Sequence, residues 1–309
     1  MSNRKAPKRS KSSESSYSLM EFMREFPDDE SCLQHLWLSR YSDDGIHAEC
    51  PKCEKRREFR RYDTGQQRQS WSCRACGHHV HPTAGTIFHK SSTSLQLWFY
   101  AIYLITSTRC GISAKHLERE LGVTYKTAWR MFNLIRNKLM VQDDEITLSG
   151  EVEADETWVG GKAKAFPKMT RQQHEDRKTP VFAAVERGGR IVAKATPDSR
   201  AAYRHVRQFV MPTSTLYTDD WPGYRRLVGE YDHHVINHSA KVYVSGDVHT
   251  QTIEGFFGNF KMGVRGAHHS ISRKWLQGYL NEWTWRYNHR SDGRAMFQTL
   301  IQRAAITSR

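Results

Sequence analysis

Six acidic side chains in three separated stretches carry the chemistry this sequence most directly points to. In Glu151-Val152-Glu153-Ala154-Asp155 acids alternate with small apolar residues, so a strand would set the three acids on one face and Val152 and Ala154 on the other. Asp219 and Asp220 follow the run Leu216-Tyr217-Thr218, which places an acid at the end of a second strand. Glu254 stands seven residues before Lys261, about two turns of helix, so a carboxylate and an ammonium would share one helical face. Two divalent ions about 3.5 to 4 Å apart acting on a phosphodiester need carboxylates that converge from separate segments. Taken singly each acid reads as a solvated surface group. Their joint placement is what points to a metal centre.

A second constellation is sulfur. Cys50-Pro-Lys-Cys53 and Cys73-Arg-Ala-Cys76 are separated by 19 residues, inside the window of about 15 to 20 typical of zinc ribbons. Four thiolates suit a tetrahedral zinc ion, and the ion would replace a hydrophobic core that so small a unit cannot build. His47, His78, His79 and His81 lie close by and are read as surface or DNA-facing, since four sulfurs complete the coordination shell. Two paired motifs with Cys32 and Cys110 left over imply a metal site in a reducing, intracellular compartment rather than a disulfide framework.

These groups must be held by folded elements, and the chain is long enough for two or three units. Residues 1 to 18 form a basic, serine-rich tail without the apolar core of a signal peptide. Asp28 or Asp29 can cap a short helix whose Cys32, Leu33, Leu36 and Trp37 share a face, leading into the ribbon, so that 19 to 90 make one region. Residues 91 to 145 read as helical, with segments at 95 to 107, 113 to 121 and 124 to about 140, and a polar linker around 142 to 144. Within them GISAKHLERELGVTYKTAWRM (111 to 131) has the helix, glycine turn and helix of a helix-turn-helix; Thr124 would cap the second helix, and Tyr125, Lys126, Thr127 and Arg130 would be available to a major groove.

From 146 to 309 the pattern changes to short strands, at 150 to 159, 181 to 186, 190 to 195, 215 to 218 and 233 to 236, with a helix between 200 and 210. Two further helices close the chain, one from 250 to 262 and one starting near 274 with Leu276, Tyr279, Leu280, Trp283 and Tyr287 along one side. The order predicts a mixed α/β sheet. The chain has 309 residues, with 47 Lys and Arg against 33 Asp and Glu, and this net charge of +14 favours a polyanionic partner, with nucleic acid foremost. No membrane partner is expected, because the most apolar stretch, 95 to 105, falls well short of the roughly 20 residues that span a bilayer.

Over most of 20 to 292 the chain resembles bacterial insertion-sequence transposases that carry a zinc ribbon ahead of a DDE catalytic domain, the ISXO-like group. The likeness rests on CPKC and CRAC, on DETWVGGK (155 to 162), KTPVFAAVERGGR (178 to 190), TDDWPGY (218 to 224), TIEGFFGNFK (252 to 261) and YLNEWTWRYNHR (279 to 290). It implies a ribonuclease H-like catalytic fold in which Asp155, Asp219 and Glu254 ligate Mg2+ or Mn2+ and Lys261 accompanies them. Glu153 stands in reserve for Asp155, and Asp220 for Asp219. The chain departs from the group in having Gln251 where Asn is common, and some members carry Asn as the third ligand. The resemblance implies a cytoplasmic, nucleoid-associated bacterial protein. It would act on double-stranded DNA, the inverted-repeat ends of its element and the target, as a homodimer or larger assembly. A DNA-binding regulator without catalysis and a nuclease that cuts without joining are the competing readings.

Overall fold

Local caps begin the fold. Ser18 accepts from the amide of Glu21, whose carboxylate accepts from the amide of Ser18, and this reciprocal box opens α1 (Leu19–Glu25). Asp28 does the same with Ser31 for α2 (Asp29–Arg40), which buries Cys32, Leu33, Leu36 and Trp37. In this computed structural model residues 17–62, 70–108, 111–141, 146–160, 178–196, 202–236, 249–292 and 295–306 are described. They form two units: Met1–Met140 with His289–Arg309, and Val141–Asn288. The expected tail lies almost wholly outside the described residues, and the linker at 142 to 144 lies outside them entirely.

In the first unit an antiparallel sheet follows α2, with β1 (His47–Cys50), β2 (Lys55–Tyr62), β3 (Ser70–Cys73) and β4 (His79–Val80) in sequential order. Trp37 stacks flat on Trp71 with ring centroids 4.7 Å apart, and Phe59 packs against Trp37 as well. This small aromatic core and the cysteine cluster share the work of holding the ribbon. Then come α3 (Leu95–Ser107), α4 (Ala114–Leu121) and α5 (Tyr125–Leu134), the last running into a π turn at Ile135–Leu139. Gly122 ends α4 at φ +62°, a left-handed conformation that a side chain resists, and Thr124 caps α5 through the amide of Thr127.

The second unit is a mixed sheet. Strands β5 (Glu151–Val159), β6 (Thr179–Glu186) and β7 (Ile191–Ala195) form an antiparallel meander; α6 (Ala202–Phe209), β8 (Thr215–Asp219), a 3-10 turn (Pro222–Leu227) and β9 (Asp232–Ile236) follow. The strand order is β7-β6-β5-β8-β9, with β5, β8 and β9 mutually parallel. Val152, Ala154, Phe182, Val192, Val206, Phe209, Leu216 and Tyr224 share one core, so α6 and the 3-10 turn cover that sheet face. Gly223 belongs to this turn because a Cβ there would fall 1.5 Å from the Trp221 ring.

Two helices complete this unit, α7 (Gln251–Gly263) and α8 (Leu276–Asn288). The free edge of β7 is covered by α8: Gln277 accepts from the amide of Ala195, and Asn288 both accepts from the amide of Ile191 and donates to its carbonyl. Edge groups left open would template pairing with other chains. A last helix, α9 (Ala295–Ile306), corrects the expectation of two closing helices. Residues 289–309 belong to the first unit, where Phe297 packs against Tyr17, Phe22, Phe26 and Tyr103.

Phe297→Ala should therefore destabilise the first unit by about 3 to 5 kcal/mol, the usual result of removing a buried aromatic ring. Denaturant unfolding followed through the tryptophans would measure it, and an unchanged midpoint would remove α9 from that core.

Candidate metal centres

The parallel pairing of β5 with β8 brings the first two acids together. Glu153 stands opposite Tyr217 in the ladder, and two residues further along their strands come Asp155 and Asp219. Side-chain oxygens of Asp155, Glu156 and Asp219 all lie within 4.8 Å of one another. Asp219 Oδ1 accepts from the amide of Trp221, 3.1 Å away, and Asp155 Oδ1 from the amide of Glu156 at 2.7 Å, which fixes both carboxylates against the backbone.

Glu156 is the member that strand alternation misses. It lies on the face of Val152 and Ala154, the core side, yet its two-methylene stem brings the carboxylate into the cluster. Neither its buried Oε1 nor the buried Tyr224 hydroxyl completes a hydrogen bond. The one sequence signal for it was its place directly after Asp155.

Burial, with crowding of negative charge, shows in the proton affinities. Burial, then the Asp219 charge, pushes the Asp155 carboxyl up to about 7; Glu254 adds to this, while the Glu156 amide and Lys261 oppose it. Burial likewise carries Glu156 up to about 8 against the influence of Tyr224, with Asp155 and Asp219 reinforcing the rise. Lys261, half-buried, is lowered chiefly by burial, with Asp155 working the other way. Carboxyls that hold protons at neutral pH, and a buried oxygen with no donor, are what an oxygen-ligating cation would relieve, so the residues present fit a divalent ion.

The other expected acids lie elsewhere. Glu254 is exposed in the first turn of α7 with its Oε1 accepting from the Thr250 hydroxyl at 3.1 Å; its charge and that of Lys261 are both felt at Asp155, as a shared helical face requires. Asp220 is exposed and outside the cluster. Glu153 is fully buried and engaged with the start of α7.

In the first unit the sulfurs of Cys50, Cys53, Cys73 and Cys76 lie within 4.8 Å of one another, and Cys50 and Cys76 are 3.6 Å apart. A tetrahedron with zinc–sulfur bonds of about 2.3 Å has edges of about 3.8 Å, so the four sulfurs are spaced to hold that ion. Burial disfavours the Cys50 thiolate, but the amides of Cys53 and Lys52 outweigh it and bring the thiol down to about 7. His47 is tied to Asp44, and His79 to Ser70, so neither is aimed at the sulfurs.

Of the residues expected to meet DNA, Tyr125 and Lys126 are exposed on the first turn of α5. Thr127 is half-buried and shares the cap with Thr124, their hydroxyls 3.0 Å apart. Arg130 lies with its guanidinium 5.9 Å from the Trp98 ring, held against α3. Among the described residues no helix is long and apolar enough to cross a membrane.

Residues 147–288 match the family described as the ISXO2-like transposase domain, and residues 27–79 match the transposase zinc-ribbon domain. Together the two matches span more than half of the chain. This chain belongs to the ISXO2-like transposases, with a metal-binding ribbon and a DDE transposase domain in a mixed α/β structure. No curated protein matches it closely enough to serve as a relative.

Two outcomes follow from the centres. Cys76→Ser should lose zinc and the ribbon fold together, because binding and folding are coupled in such modules; elemental analysis with circular dichroism reads both, and full zinc occupancy in the folded variant would exclude Cys76 as a ligand. At the acidic cluster, the raised Asp155 carboxyl contributes stability that is complete below about 3.8 and lost as pH rises through about 7. A cation must displace those protons. The rise in melting temperature on adding Mn2+ should therefore be small at pH 6 and grow toward a plateau above about pH 8, where Glu156 is also ionised. A shift equal at both pH values would contradict this.

Proposed function

We propose that this transposase binds the inverted-repeat ends of its own element, cuts the DNA there and joins the freed strand to a target. The observation that carries the reading is the convergence of Asp155 and Asp219 at adjacent parallel strand positions, with Glu156 beside them and Glu254 and Lys261 near enough to act on Asp155. The order of three antiparallel strands followed by two parallel ones, flanked by helices, is consistent with a ribonuclease H-like fold. In this reading Asp155, Asp219 and Glu254 hold Mg2+ or Mn2+, which supplies a Lewis acid for the phosphodiester and lowers the pKa of a bound water.

The chain's own groups do the rest. Lys261, beside Asp155 and partly desolvated, neutralises a phosphate oxygen and orients the scissile strand. The α4–α5 pair acts as a helix-turn-helix, with Tyr125 and Lys126 exposed for the groove, Thr127 closing the cap, and Arg130 leaving the Trp98 ring to reach the DNA. The net charge of +14 serves the phosphate backbone. Holding two element ends at once calls for a homodimer or larger assembly.

Asp155→Ala, Asp219→Ala and Glu254→Ala should each reduce end cleavage and strand transfer to background while leaving end binding intact. Short duplexes carrying the element end, assayed with labelled target DNA, give both readouts. Normal cutting by folded Asp155→Ala and Asp219→Ala variants would overturn the site, and cutting without joining by the wild-type protein would identify a nuclease instead.

A further inference from the structure

One carboxylate on β5 stands outside the acidic cluster. Glu153 is 0 % exposed, and both its oxygens are occupied. Oε1 accepts from Arg187 Nε at 2.9 Å and from the Thr252 hydroxyl at 3.0 Å; Oε2 accepts from the amides of Thr252 at 2.9 Å and Ile253 at 3.0 Å. His249 Nδ1 stands 3.2 Å from Oε1. An ionised carboxylate offers about four lone-pair positions, so these bonds leave none for an ion.

The amides it takes are the ones a helix start leaves open. Thr250, the cap residue of α7, makes no capping bond to the helix; its hydroxyl donates to Glu254. The first turn of α7 is therefore capped from a strand about a hundred residues earlier, by a charge that also suits the positive end of the helix. Glu153 shares a strand face with Asp155 two residues away, roughly 7 Å along the strand, and Glu254 directly follows Ile253.

Arg187 extends the grip. Its guanidinium is largely buried, donates to Glu153 and to the carbonyl of His249, and lies 4.0 Å from the Tyr217 ring. Tyr217 is two residues before Asp219. Each segment that bears an acid is thus held a few residues ahead of it: Glu153 before Asp155, Tyr217 before Asp219, His249 and Thr252 before Glu254.

We propose that Glu153, clamped by Arg187, is a positioning residue that fixes α7 on β5 and so sets Glu254 at its distance from Asp155. The inference rests on the metal-site reading above. It gives Glu153 a different part from the spare ligand for Asp155 that the resemblance suggests. A substitution here weakens metal binding without removing a ligand.

The test uses the full-length, zinc-loaded protein. Mn2+ affinity is measured by electron paramagnetic resonance titration, and amide exchange is followed at 252 and 253. Glu153→Gln keeps the size but sets an amide group against donors, and should lower Mn2+ affinity by about 10- to 100-fold, the usual effect of losing a residue that orients a ligand. Exchange at the start of α7 should rise, with zinc content and end binding retained. Thr252→Val, which loses one bond and keeps the backbone amide, should give a smaller loss in the same direction and carries the test should Glu153→Gln fail to fold.

Because Glu153 acts through Glu254, the double variant Glu153→Gln/Glu254→Ala should bind Mn2+ no more weakly than Glu254→Ala alone. Additive losses would mark a general structural role and overturn the proposal. So would wild-type Mn2+ affinity in both Glu153→Gln and Thr252→Val while Asp155→Ala loses the ion. Unchanged Mn2+ binding in Asp155→Ala and Asp219→Ala would instead overturn the metal-site reading, and this inference with it.

Discussion

Carboxylates placed at bonding distance from a shared ion repel one another until that ion arrives. At the 4.8 Å that bounds the Asp155, Glu156 and Asp219 cluster, two unit charges in surroundings of effective dielectric about 20 repel by about 3.5 kcal/mol, and less where water screens them. That is a sizeable fraction of the stability of a typical domain. Uptake of protons relieves it in the absence of metal, and this repulsion adds to burial, the larger cause, in raising the Asp155 and Glu156 carboxyls to about 7 and about 8. Relief by protons does not decide where the acids stand. The backbone must do that, and the parallel register of β5 on β8 is the constraint on which the remaining structure depends.

Much of that constraint was legible in the sequence. Acids alternating with Val152 and Ala154 marked β5 and its two faces, and the apolar core on the Val152 side bears the alternation out. The helical spacing of Glu254 and Lys261 announced a shared face, and both charges act on Asp155. The cysteine spacing announced four sulfurs that come within range of one ion. Such features are periodic or local, and one stretch of chain contains them whole.

What alternation could not supply was depth and partner. A period of two assigns Glu156 to the core face, but not the fact that the strand end there is close enough to Asp219 for a longer side chain to reach it. It assigns Glu153 and Asp155 to the same face as though they were equivalent. Only the tertiary contact separates them: Asp155 faces other carboxylates, whereas Glu153 meets two amides, a hydroxyl and a guanidinium. Helix α9 is a different case. Its buried Phe297, Leu300, Ile301, Ala304 and Ala305 repeat at helical spacing, so the pattern is present in the sequence, beyond the point near 292 where the family's motifs end.

The two centres call on opposite ligand chemistries. Thiolates favour zinc, and carboxylates favour hard cations of the magnesium and manganese kind, so donor type alone sorts the ions within one chain. Their supports are also separate. The Cys50 to Cys76 ligands belong to the ribbon sheet of the first unit, while Glu153, Arg187, Tyr217, His249 and Thr250, which hold the acidic segments, all fall within Val141–Asn288. Within that unit the register of β5 on β8 places the two aspartates, and the buried Glu153–Arg187 pair of the antiparallel meander meets the opening amides of the helix that follows the parallel strands.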